Sequence, residues 1–181
     1  DARRLVEAAG SRGEAPLRDR ALLLVLWVTG MRRSSATSAA KSGLFEREGV
    51  YVLRHRVKGG AEVESELTDE AADAVKMWLR EAPRSRWLFS RLDGEALSPQ
   101  SVTRIVAAAA SASGVKAHPH MLRASFVTRA LDAGVALERV QRAAHHADPR
   151  STLRYDRGRR GAGVVAEVAA LRESKTNRRK T

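Results

Sequence analysis

Residues 43–67, GLFEREGVYVLRHRVKGGAEVESEL, change the period of the chain. Around this stretch apolar residues recur at helical spacing; within it they alternate with polar ones, about Gly49 and again about Gly59-Gly60. Alternation with period two gives a strand one apolar face, and glycine-marked turns between such runs are hairpin turns. The stretch therefore predicts a three-stranded antiparallel meander interrupting helices. The fold class that follows is mainly α with a small antiparallel β-meander, an α+β architecture.

The helical segments are delimited by their own stop and start signals. LRDRALLLVLWVTG predicts a mostly buried helix from about Leu17, stopped near Gly30, with a short helix from about Arg32 to Ala40 behind it. Thr68 precedes Asp69 and Glu70, acidic residues where the helix dipole favours them, so a helix should run from there to about Arg80. RWLFS reads as a short extended piece. Ser98-Pro99 sets a cap before a first-turn proline and opens an alanine-rich helix that Gly114 ends. Further helices are expected from about His120 to Asp132 and over LERVQRAA. Asp148-Pro149 is again cap and proline, opening a helix that holds Tyr155, and an amphipathic helix follows from about Val164 to Arg172.

With 181 residues, the chain fits one domain able to bury a proper core. Its net charge of +12, from 33 Lys+Arg against 21 Asp+Glu, suits a polyanionic partner such as nucleic acid. Residues 172–180 hold five basic side chains and one acidic, so most of the excess lies on the body rather than on the tail. The absence of cysteine removes disulfides, a thiol nucleophile and cysteine-ligated zinc from consideration. The longest apolar run, Ala21 to Val28, is too short to cross a bilayer and follows no cleavage-site pattern, so the expectation is a soluble protein of the cell interior. A chain that opens at Asp1 without methionine is expected to be a domain excised from something longer.

Several residues could carry chemistry, and each has an ordinary reading beside the functional one. Arg32 lies at a helix start and Lys58 at a hairpin tip, where basic side chains are commonly just solvated. His120 and Arg123, three apart, share a helix face and could converge on one anion, or be a capping histidine and its neighbour. Tyr155, one of two tyrosines, sits between Arg154 and Arg157, nine positions after His146. It could pack its ring on a half-buried face, or be a phenol activated among cations. HPH and His145-His146 also supply imidazoles for a metal. Against this, no carboxylate stands at ligand spacing beside HPH, and adjacent histidines on a helix point apart. No metal and no cofactor are expected.

Order and spacing decide between these readings. TGMRRS, the hairpin Lys58, HMLRASFVT and VQRAAHHADPRSTLRY resemble, in register, the active-site phrases of the tyrosine recombinases, the phage integrase family. The resemblance runs from about Leu17 to the C-terminal helix. It implies the tyrosine recombinase catalytic-domain fold over residues 1–172, a basic and disordered tail at 173–181, and a separate N-terminal DNA-clamping domain that this chain lacks.

It also implies site-specific recombination of double-stranded DNA, whether integration, excision or resolution, through a 3′-phosphotyrosyl intermediate. The site residues would be Arg32, Lys58, His120, Arg123, His146 and the nucleophile Tyr155. The partner copies would form a homotetramer on paired DNA sites, docked through the helix near Val164 to Arg172, in the cytoplasm of a bacterium or from a phage or mobile element. A type IB topoisomerase, which nicks and reseals one strand, and a DNA-binding module without catalysis are the alternatives. Three positions depart from the family's pattern. Ser35 stands where an acidic residue is usual, Ala124 where histidine is frequent and His145 where glycine is usual.

Overall fold

A computed structural model describes residues 1–145. Seven helices are seen among them: α1 (Ala2–Gly10), α2 (Pro16–Thr29), α3 (Arg33–Ser38), α4 (Asp69–Glu81), α5 (Pro99–Ser113), α6 (Pro119–Asp132) and α7 (Leu137–Ala143). The strands β1 (Leu44–Arg47), β2 (Val50–Arg56) and β3 (Glu62–Glu66) stand between α3 and α4. They form one antiparallel sheet in the order β1-β2-β3, the meander that the alternating residues predict. The helices expected over Asp148 onward and over Val164 to Arg172, and the tail at 173–181, lie outside the described residues. Among the described residues no helix is long and apolar enough to cross a membrane.

The core is organised about α2. A helix apolar on every side must be enclosed by the rest of the chain, and Ala21, Leu22, Leu23, Leu24, Val25 and Leu26 are all fully buried. α1, α4 and α6 pack against it, and α5 packs on α1. Leu53 of β2, Trp78 of α4, and Leu88 and Phe89 join the same core. Trp78 donates its indole N–H to the Leu88 carbonyl at 2.9 Å, which satisfies the one polar atom it carries inside. Phe126, Val127, Leu131, Val140 and Ala144 make a smaller apolar cluster between α6 and α7.

The expected caps form. Thr68 Oγ1 accepts from Ala71 N at the start of α4, and Ser98 Oγ accepts from Ser101 N at the start of α5. In the β1–β2 hairpin, Glu48 and Gly49 are the two loop residues, and both have positive φ (53° and 79°), the geometry of a type I′ turn.

Two local readings need correction. Nothing before Leu17 reads as a defined element in the sequence, yet Ala2–Gly10 is helical. A nine-residue helix without a side-chain cap is marginal alone; Leu5, Val6 and Ala9 form because they are buried in the common core. α3 is shorter than the span Arg32 to Ala40, because the chain is drawn out extended at both ends. Ala40 bridges to Trp87, Leu88 N donates to Ala39 O at 2.8 Å, and Lys41 N donates to Arg86 O at 2.8 Å. RWLFS forms no strand, only isolated bridges at Trp87 and Ser90, and the first of these lies against the residues that follow α3.

Candidate active site

Three distant segments meet at the C-terminal end of α7. The first is the exit from α2, where Gly30 caps the helix in the left-handed region at φ 62° and ψ 15°. That conformation favours glycine, and space demands it too: a Cβ there would stand 2.5 Å from Phe126 Cδ1. Beyond it Arg32 occupies the cap position of α3 with an extended backbone, half-buried.

The second segment is α6, which carries Arg123 in its second turn. This guanidinium is only 6% exposed, and a buried charge is tolerated only when its donors are satisfied. Arg123 donates through Nη1 to the Gly30 carbonyl and through Nη2 to the Ala144 carbonyl at 2.6 Å. The third segment is the turn ending α7. Arg32 Nη1 donates to the His145 carbonyl at 3.5 Å, one residue beyond the carbonyl that Arg123 holds. The last carbonyls of a helix lack partners within it and carry the negative end of its dipole, so two cations are well placed there.

The remaining expected residues are placed as follows. Lys58 is exposed at the tip of the β2–β3 hairpin, in a loop closed by Val57 N to Ala61 O and Gly60 N to Val57 O, both 2.9 Å. His120 is exposed in the first turn of α6, with its ring stacked on that of His118 at 6.3 Å between centroids. His146 and Tyr155 lie outside the described residues. The structure thus brings Arg32 and Arg123 together on one helix end and sets Lys58 and His120 at exposed positions. Of the three departures, Ser35 is buried within α3, Ala124 is half-buried, and His145 adopts a left-handed backbone with φ 50°. Where glycine is usual, the chain still takes the conformation glycine prefers.

Two polar residues beside this turn carry no role in the sequence reading. His55 on β2 and Ser65 on β3 are buried, and Ser65 Oγ lies 3.0 Å from His55 Nε2 and 3.3 Å from His145 Nε2. The two imidazoles meet edge to face at 5.5 Å. Burial, followed by the neighbouring His55, Arg123 and Arg32, pushes His145 down to about 4. Burial also lowers His55, partly offset by the backbone at Arg56. Both rings are therefore neutral at pH 7. The signal available in the sequence was the alternation itself, since His55 and Ser65 occupy inward positions of their strands, as Leu53 and Leu67 do. Among the described residues, no three of His, Asp and Glu stand together so as to hold a metal ion.

Comparison with known proteins gives this geometry a context. The profile of the phage integrase family matches residues 1–160. A tyrosine recombinase XerC of Pseudomonas putida is 35% identical over 144 residues, covering 76% of this chain and 47% of the relative. A tyrosine recombinase XerD of Bifidobacterium longum is 32% identical over 169 residues, covering 84% of this chain and 54% of the relative. The chain spans about half the length of these curated relatives. Among solved structures, the XerA recombinase superposes with a TM-score of 0.75 at 24% identity, over 98% of this chain and 62% of that one. XerH bound to its palindromic difH substrate superposes with a TM-score of 0.78 at 23% identity, over 95% and 51%. At this identity the two structures establish a shared fold, the helical domain with its small three-stranded sheet.

Proposed function

The chain belongs to the phage integrase family, and from that premise we propose that it is the catalytic domain of a site-specific DNA recombinase, spanning residues 1–172. The observation that carries the reading is the convergence of Arg32 and Arg123 on successive carbonyls of one turn, directly before His146 in the sequence. Two planar, permanently charged guanidiniums side by side suit the non-bridging oxygens of a phosphodiester. Charge grows on those oxygens as phosphorus is attacked, so such a pair stabilises the transition state more than the ground state.

Tyr155 is the nucleophile. Its phenol, with an ordinary pKa of about 10, gives its proton to His120 as the Oη–P bond forms. The P–O5′ bond breaks, and the leaving oxygen takes a proton from the Lys58 ammonium on the hairpin. His146 donates a hydrogen bond to the phosphate. The 3′-phosphotyrosyl link keeps the energy of the broken bond, so a 5′-hydroxyl from another strand can reverse the step without a nucleotide, metal or other cofactor.

The partner is double-stranded DNA, for which the net charge of +12 is suited. The assembly is a homotetramer on paired sites, each copy docked through its helix near Val164 to Arg172. XerH is seen on difH DNA and λ integrase as a tetramer on a Holliday junction, and both share this fold. The protein works where chromosomal and mobile DNA lie, in the cytoplasm of a bacterial cell.

The test is covalent capture on nicked duplexes with a randomised core, whose cleaved strand loses the hydroxyl needed for religation. The expected result is a protein–DNA adduct of a single target sequence, followed by strand exchange when two intact copies of that sequence are supplied. DNA binding without adduct would return the chain to a binding module. Plasmid relaxation without exchange would make it a topoisomerase.

A further inference from the structure

The His55–Ser65–His145 cluster joins two parts of the molecule that the proposed chemistry needs held together. β2 and β3 carry the hairpin with Lys58 at its tip, and the α7 turn carries the carbonyls gripped by Arg32 and Arg123. In the sheet register Leu53 faces Ser65 and His55 faces Val63, so His55 and Ser65 are diagonal neighbours on the inward face. From there the Ser65 hydroxyl reaches across to His145.

We propose that this serine-bridged histidine pair is a latch that fixes the Lys58 hairpin relative to the α7 turn, with Ser65 and His145 as positioning residues for strand cleavage. The cleavage part rests on the role given to Lys58 above; the latch itself does not. A hydroxyl can accept one hydrogen bond and donate another, so it joins two neutral imidazoles without leaving either bridging nitrogen unpaired. Among the described residues, the charged and titratable groups that bear on His145 are His55 from β2, Arg123 from α6 and Arg32 from the segment before α3, none of them an anion. His55 Nδ1 is buried without a hydrogen-bond partner among the described residues, and the backbone at Arg56 offsets only part of what burial costs its charged form.

The backbone of His145 supports the same reading. Its φ of 50° is a conformation that a side chain beyond glycine pays for, and glycine could offer no bridge to Ser65. The side chain is therefore tied to a task that the local turn does not require.

Two measurements on the full chain test the latch: Ser65→Ala deletes the bridge, Ser65→Thr retains the hydroxyl and His145→Gly deletes the bridge from the other side. In amide hydrogen exchange, Ser65→Ala and His145→Gly should both accelerate exchange at residues 57–61 and at 141–145, and Ser65→Thr should leave both unchanged. Acceleration confined to the mutated element would overturn the latch. In cleavage of the captured target sequence, Ser65→Ala should slow the ordinary substrate roughly ten- to a hundredfold. It should largely spare a substrate whose leaving oxygen is replaced by sulfur, because a thiolate departs without protonation.

Lys58→Ala is the reference and should discriminate between the two substrates in the same way. If it does and Ser65→Ala slows both equally, Ser65 does not position the lysine. Equal losses for Lys58→Ala would instead overturn the general-acid role, and the exchange data would still decide the latch.

Discussion

Arg32 and Arg123 donate to successive carbonyl oxygens, those of His145 and Ala144, so that guanidiniums from two distant segments close on one helix end. The pair does structural work before any substrate arrives. Arg123→Ala leaves the Gly30 and Ala144 carbonyls without their donor and opens space in the interior, and should cost about 2–4 kcal/mol in urea unfolding. Arg123→Lys keeps the charge but not the planar fork that reaches two elements at once, and should cost about 1–2 kcal/mol. Unchanged unfolding of Arg123→Ala would show that the guanidinium is not what holds the α7 turn to α2.

Gly30 is the hinge on which this arrangement depends. Gly30→Ala meets both a left-handed backbone and the Phe126 ring, and should destabilise by about 2–3 kcal/mol. Phe126→Ala in the same chain removes the colliding ring atoms but leaves its Cβ at 3.1 Å and the backbone cost, so the double variant should lose less than the sum of the two single ones. Additive losses would place the strain elsewhere.

Acid sensitivity follows from the buried imidazoles. In the unfolded chain His145 takes up a proton near its ordinary value of 6.5, whereas in the fold it resists until about 4. Between those values the unfolded chain binds more protons, so stability falls as pH drops through that window and the loss is complete below it. His55, also lowered, acts in the same direction.

His145→Gly relieves a left-handed side chain worth roughly 1–2 kcal/mol and loses a hydrogen bond worth roughly 0.5–1.5 kcal/mol. Its stability at neutral pH should therefore lie within about 1 kcal/mol of the parent, with a shallower decline between about pH 6.5 and pH 4 in denaturant titrations. An undiminished decline would mean that His145 is not the group that resists its proton.

What could be read from sequence divides along physical lines. The meander, the caps at Thr68 and Ser98 and the buried α2 are local patterns, legible because period and capping chemistry act over a few residues. Gly30 with Arg32, and His120 with Arg123, are legible as phrases. The α1 helix escaped because its stability comes from Leu5, Val6 and Ala9 meeting residues far along the chain, not from its own signals. His55 and Ser65 escaped for a related reason: alternation tells which way a side chain faces, but register and the approach of α7 decide what it touches. His145 was visible as a departure, and its meaning appeared only with its φ and its neighbours.

The central claim is that Tyr155 attacks DNA, and Tyr155→Phe tests it with the loss of one oxygen. On the nicked target that captures the parent protein, Tyr155→Phe should remain folded and bind DNA, while the covalent adduct disappears, since phenylalanine has no atom with which to form the ester. Tyr51→Phe is the control: Tyr51 lies on β2 beneath the ammonium of Lys76, 4.4 Å from its ring, and should form adduct as the parent does. An adduct that persists in Tyr155→Phe would contradict the account and leave Tyr155 a packing residue.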